Sequence, residues 1–103
     1  MKRLAFKMYL NEGMKEEYIK RHNEIWPELK QLLLDAGISE YHIFLDEDTN
    51  TLFAFQMQEG DSNSQELGDT EIVKKWWAYM KDLMKTNPDN SPVSIELEKV
   101  FTL

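Results

Sequence analysis

Tyr18 and His22 stand four residues apart in a stretch that runs Tyr18-Ile19-Lys20-Arg21-His22-Asn23-Glu24-Ile25-Trp26-Pro27-Glu28. On a helix that spacing sets a phenol and an imidazole side by side on one face. The pair suits proton transfer to a polar ligand, because imidazole titrates near neutral pH and a phenol both donates and accepts hydrogen bonds. Taken alone it is also an ordinary packed pair at a helix end. A second cluster, Trp76-Trp77 with Tyr79, gives it company. Aromatic rings pack against the apolar faces of sugar rings while the hydroxyls find polar neighbours. Successive helical side chains diverge by about 100°, so one tryptophan is expected in the core and the other on a cavity. Tyr18, Tyr41 and a tryptophan of this pair are the expected pocket lining, with His22 at its edge. Trp26 is assigned to the helix break beside Pro27.

Other chemistries lack their parts. His22 and His42 are the only histidines, there is no cysteine, and the carboxylates are scattered, so no metal site is expected. His42 lies opposite in direction to Tyr41 on a strand and is assigned no role. There is no Gly-rich phosphate loop and no Gly-x-Ser-x-Gly elbow, which leaves phosphoryl and acyl transfer without their machinery. A net charge of −7 opposes phosphate backbones, and Lys74-Lys75 beside the tryptophans is too short for a basic stripe. Neither nucleic acid nor an acidic membrane surface is an expected partner. No apolar run approaches the roughly 20 residues of a membrane helix. Met1–Lys7 carries charge without the apolar run of a signal peptide.

The elements that must position these side chains follow from periodicity. The 103 residues predict one domain, residues 1–103. Residues 3–10 alternate as a half-buried strand, with Leu4, Phe6, Met8 and Leu10 on one side. Asn11 is a candidate cap for a helix over 13–22. Trp26-Pro27 opens a second helix, carried by Ile25, Leu29, Leu32, Leu33 and Ala36 and ended by Gly37. Residues 38–46 and 51–58 predict a hairpin around a loop at 46–50. Residues 59–70 are polar, expected as a mobile surface segment, with Asp69 or Thr70 capping the next helix. Val73, Trp76, Trp77, Met80, Leu83 and Met84 form its stripe. The cluster Asn87-Pro88-Asp89-Asn90-Ser91-Pro92 is a turn, held by Asn and Asp bonding to their own backbone. A last strand is expected over 94–102.

That order, β-α-β-β-α-β, is the split βαβ or ferredoxin-like α+β arrangement. In the third strand Leu52 and Ala54 point one way, and Phe53, Phe55 and Met57 the other. Both sheet faces are therefore apolar, and a homodimer packed through its sheets is expected.

Taken together, Tyr18-x-x-x-His22-Asn23-x-Ile25-Trp26-Pro27-Glu28, Tyr41, Trp76-Trp77-x-Tyr79-Met80 and Asn87-Pro88-Asp89-Asn90-Ser91-Pro92 resemble the L-rhamnose mutarotase family. Their order and spacing cover almost the whole chain, from about residue 3 to 103. The resemblance implies a dimeric α+β barrel that interconverts the anomers of L-rhamnose without a cofactor. It implies His22 as proton donor and Tyr18, Tyr41, Trp76 and Trp77 as sugar-binding residues. With the missing signal, it implies a cytoplasmic protein. The chain departs from the pattern in residues 59–70, where Ser64 stands at the expected aromatic start of a helix and Gly68 follows. Two other readings share the architecture: a cofactor-free or haem-degrading monooxygenase, and a non-catalytic sugar-binding dimer.

Overall fold

The structure, a computed structural model, describes residues 2–59 and 67–103. Its elements are β1 (Lys2–Tyr9), α1 (Lys15–Asn23), α2 (Pro27–Asp35), β2 (Ile38–Asp46), β3 (Thr51–Gln58), α3 (Glu71–Met80) and β4 (Ile95–Glu96). The four strands form one sheet in the order β2-β3-β1-β4. Every neighbouring pair is antiparallel. This is the ferredoxin-like order the sequence predicts.

Register decides which side chains meet the helices. Across β1, β3 and β2 the rows Met8/Leu52/Leu45, Phe6/Ala54/Ile43 and Leu4/Gln56/Tyr41 lie side by side. Phe6, Met8, Leu52 and Ala54 are buried with Val73, Trp76, Trp77 and Met80 of α3, which makes this face the core. An irregularity between Ile38 and Glu40 shifts the register of β2. The extra residue lets both Ile38 and Tyr41 face the helices, although an unbroken strand would put them on opposite faces. The other face carries Phe44 opposite Phe53 and His42 opposite Phe55.

The helix break forms as its residues require. Trp26 is extended (φ −63°, ψ 132°) and Pro27 occupies the first helical turn. Proline disfavours helix in the residue before it, so α1 and α2 are separate helices and not one continuous one. Gly37 closes α2 at φ +91°, a conformation that side chains bearing a Cβ resist.

Several expectations need correction. Asn11 does not cap α1. Its Nδ2 donates to the carbonyl of Asp82 at 3.3 Å, and the residue preceding the helix is Met14, without a side-chain cap. Thr70 does precede α3, but its hydroxyl donates back to the carbonyl of Leu67 at 2.6 Å instead of capping. The α3 helix stops at Met80, short of Leu83 and Met84. Those two are buried for another reason: the chain leaves the helix to bridge Leu10 with Met84, and Asn11 N–H donates to the carbonyl of Leu83 at 2.8 Å. The last strand is confined to Ile95–Glu96, extended by one bond from Leu97 N–H to the carbonyl of Ala5 at 2.8 Å. The expected surface segment lies largely outside the described residues, as does the departure at Ser64.

Candidate active site

Between the helices and the inner sheet face lies a cavity of about 770 Å³. Tyr18, His22, Tyr41, Trp76 and Trp77 all line it, so the five residues singled out from the sequence converge on one space. Three elements supply them. The α1 helix gives Tyr18 and His22, β2 gives Tyr41 on the same face as Ile43 and Leu45, and α3 gives both tryptophans. The expectation that one tryptophan would enter the core and the other a cavity is too simple. Both are nearly buried, at 9% and 8% exposure, and both border the cavity, because the space itself cuts into the core.

His22 is fixed from three directions. Its ring centroid lies 4.3 Å from that of Tyr18. Trp76 stands perpendicular to it at 5.6 Å. Its Nδ1 lies 3.0 Å from the carbonyl oxygen of Tyr18. A carbonyl can only accept, so Nδ1 carries a hydrogen and Nε2 is the basic nitrogen of the neutral ring. Burial lowers the His22 pKa below its ordinary 6.5, and the backbone bond to Tyr18 only partly opposes this. Burial also raises the Tyr18 pKa far above the ordinary phenol range, with the neighbouring Tyr41 adding in the same direction. Tyr18 therefore stays a neutral phenol, able to donate or accept a hydrogen bond but not to act as a phenolate base.

The tryptophans have their own supports. Trp76 meets Trp26 nearly perpendicular at 5.1 Å and Tyr79 at 5.8 Å. Trp26 thus both sets the helix break and buttresses the cavity wall. Gly68 lies so close to Trp77 that an added Cβ would come within 2.6 Å of Cζ3. Only a glycine lets the segment entering α3 pass against that ring. A smaller crevice, about 540 Å³, opens on the other side of Trp77 between that segment and the turn at 87–92.

The turn keeps its structural reading. Asn87 Nδ2 donates to Ser91 Oγ at 3.0 Å, Ser91 N–H donates to Asp89 Oδ1 at 3.0 Å, and Asn90 sits at φ +71°. Of this turn only Pro92 reaches the cavity. His42 lies on the outer sheet face, opposite Phe55 and away from the cavity. Among the described residues no group of three or more His, Asp or Glu is placed to hold a metal ion. Nor is any helix there long and apolar enough to cross a membrane.

Sequence reading gave no place on the cavity to several residues that line it. Asn23, next to His22, lines the cavity, as do Ile25 and Leu29 on either side of the break. Their place in the Trp-Pro segment was the available signal. Arg21 was missed altogether, although its spacing from Glu17 marks an ion pair across one helical turn.

The ferredoxin-like order of the sheet puts the chain in the class of small α+β barrel proteins, here with an aromatic-walled cavity that holds a histidine and two phenols. Within that class, the sequence profile described as L-rhamnose mutarotase matches residues 3–103, and the chain belongs to this family. It is 65% identical to the L-rhamnose mutarotase of Formosa agariphila, over 98% of this chain and 97% of that protein. It is 63% identical to that of Bacteroides thetaiotaomicron, over the same shares of each. The crystal structure of an L-rhamnose mutarotase from Formosa agariphila superposes with a TM-score of 0.93 at 62% identity, covering 100% of this chain and 99% of that one. A Pseudomonas aeruginosa protein only 13% identical superposes at 0.58, over 96% of this chain and 93% of that one, a likeness of fold alone.

Proposed function

We propose that this protein is an isomerase that interconverts the α and β anomers of L-rhamnose, with His22 as proton donor and Tyr18, Tyr41, Trp76 and Trp77 binding the sugar. The observation that carries this reading is the placement of His22 between Tyr18 and Trp76 on a cavity whose wall is mostly apolar. An apolar wall suits the ring faces and methyl group of a 6-deoxy sugar, and the phenols and imidazole suit its hydroxyls. Family membership points to the same sugar.

The chemistry needs no redox partner and no covalent intermediate. Protonated His22 gives its Nε2 proton to the ring oxygen as the bond between that oxygen and C1 breaks. The anomeric hydroxyl loses its proton to water or a neighbouring hydroxyl, and its oxygen becomes the aldehyde oxygen. The ring oxygen becomes a free hydroxyl. Rotation about C1–C2 presents the other face of the aldehyde, and the reverse proton transfers close the ring. Tyr18, a neutral phenol, and Tyr41 orient the sugar. The low pKa of His22 makes its cation a stronger acid than free imidazolium, at the cost of fewer charged molecules near neutral pH.

This fixes the sign of the pH dependence. A lowered pKa in the free protein places the inflection on the acid side of 6.5, so protein-dependent kcat/KM climbs as pH falls through that inflection and levels once the cation dominates. Anomer exchange measured at limiting sugar from pH 8 to pH 5, with the protein-free rate subtracted, reads it; a kcat/KM rising with pH across that range would contradict the donor role. Stability runs the other way. The contribution of neutral, buried His22 is fully present above about 6.5 and is lost as pH falls through the lower folded value, because there the unfolded chain binds more protons.

The protein acts as a cytoplasmic homodimer in this reading, with the outer sheet face covered by a second copy. Phe44 and Phe55 are 60% and 44% exposed on that face and their rings meet at 5.7 Å. Ile95 is exposed nearby on β4, and Val100, Phe101 and Leu103 beyond it are exposed as well. Exposed apolar side chains gathered on one sheet face mark an association surface. Light scattering coupled to size exclusion is expected to give twice the chain mass at micromolar concentration, and Phe44→Glu with Phe55→Glu is expected to give the monomer. A wild-type monomer would overturn the dimer.

The direct test of activity is polarimetry of freshly dissolved crystalline L-rhamnose. The protein is expected to speed the approach to equilibrium rotation in proportion to its concentration. Sugar binding by calorimetry without such acceleration would instead support a non-catalytic binding protein.

A further inference from the structure

We infer that Arg21 is a positioning residue for the reaction: it clamps α1 onto the end of α3 and so holds His22 at its working distance from the sugar. The inference rests on the proposed activity and concerns a residue one step outside the cavity. Arg21 is only 13% exposed in its side chain, little for so long and charged a group. Its guanidinium spends its donors in a fixed pattern. Nε donates to Glu17 Oε2 at 2.8 Å. Nη1 donates to Asp82 Oδ1 at 2.9 Å and Nη2 to Asp82 Oδ2 at 3.2 Å, a bidentate fork. Nη1 also donates to the carbonyl of Tyr79 at 2.6 Å, in the last turn of α3. The cation lies 4.5 Å from the centroid of the Tyr79 ring.

These contacts close a circuit through the site. Tyr79 packs on Trp76, Trp76 stands against His22, and His22 is the next residue after Arg21 on α1. The far side of the circuit is anchored, because Asn11 N–H and Nδ2 hold the carbonyls of Leu83 and Asp82 at 2.8 and 3.3 Å. Arg21 thus joins the helix that carries the proton donor to a turn tied to the sheet. Lysine could replace its charge but not its planar fork or its stacking. A displacement of about 1 Å in a reacting group is enough to cost about 10²-fold in rate.

The test compares Arg21→Lys, Asp82→Asn and Glu17→Gln by anomer exchange NMR at saturating and limiting L-rhamnose, alongside the His22 ring resonances recorded without sugar. The clamp predicts kcat lowered about 10- to 100-fold in Arg21→Lys, with KM within about threefold of wild type. It predicts a smaller loss of kcat in Asp82→Asn, which keeps one acceptor oxygen of the fork, and near wild-type behaviour in Glu17→Gln, whose single bond to Arg21 stays within α1 and does not cross to the end of α3. The His22 Cε1–H resonance is expected to move in the first two and stay in place in the third. Wild-type kcat and an unmoved His22 resonance in both Arg21→Lys and Asp82→Asn would overturn the inference, as would a raised KM with unchanged kcat. Should Arg21→Lys fail to fold, Asp82→Asn carries the comparison alone. A wild-type protein without mutarotation would remove the proposed activity, while the His22 resonance would still report whether the clamp positions the ring.

Discussion

His22→Ala is expected to stay folded and to lose about 10²–10⁴ of its protein-dependent anomer exchange, the range that a positioned general acid contributes. The variant deletes the imidazole with its contact to the Tyr18 carbonyl and its ring contacts to Tyr18 and Trp76, but no bond between backbone groups. The loss should fall on kcat more than on KM, because proton delivery is felt in the transition state and the aromatic walls that bind the sugar remain. His22→Gln tests the same point more finely. Its amide can donate a hydrogen bond but cannot transfer a proton, so it is expected to restore some binding and little turnover. A His22→Ala protein with a native circular dichroism spectrum and wild-type exchange would remove His22 from the reaction.

Trp76→Ala carries the other large effect, on stability and binding together. The indole is buried and meets the rings of His22, Trp26 and Tyr79. Removing a buried tryptophan costs about 3–5 kcal/mol. That is a large share of the roughly 5–15 kcal/mol that holds a domain of this kind folded. At about 4–8 °C per kcal/mol for a chain of this length, Tm should fall by more than about 10 °C. In the folded fraction KM for L-rhamnose should rise, because the stacking surface is gone. Trp76→Phe keeps an aromatic face and is expected to recover part of both. Thermal unfolding and sugar titration read the two effects separately. A folded Trp76→Ala with unchanged KM would exclude Trp76 from the sugar-binding wall, whatever its melting temperature.

Much of this architecture is legible in the chain because its signals are local. Alternation in β1, the Trp26-Pro27 break and Gly37 each act within a few residues, and each forms the element it predicts. The five residues singled out on chemical grounds do border one cavity, since the split βαβ order places α1, β2 and α3 around the same sheet face. What escaped the reading is non-local. The apolar positions Leu83 and Met84 continue the helical stripe of α3, yet a bridge to Leu10 takes the chain out of the helix there. Asn11 has the chemistry of a cap but turns to Asp82, 71 residues away in sequence. The alternating tail at 94–102 finds only two residues of ladder on β1. Arg21 looks like half of a surface pair with Glu17 until the fold brings Asp82 and Tyr79 beneath it.

The central claim, that His22 moves a proton during anomer interconversion, is tested most directly by exchange NMR on the two anomeric protons of L-rhamnose, with wild-type protein and with His22→Ala. The account predicts magnetisation transfer between the α and β signals that grows with wild-type concentration and falls to near the protein-free rate with the variant. No added transfer from wild type at high concentration, or equal transfer from both proteins, would contradict it.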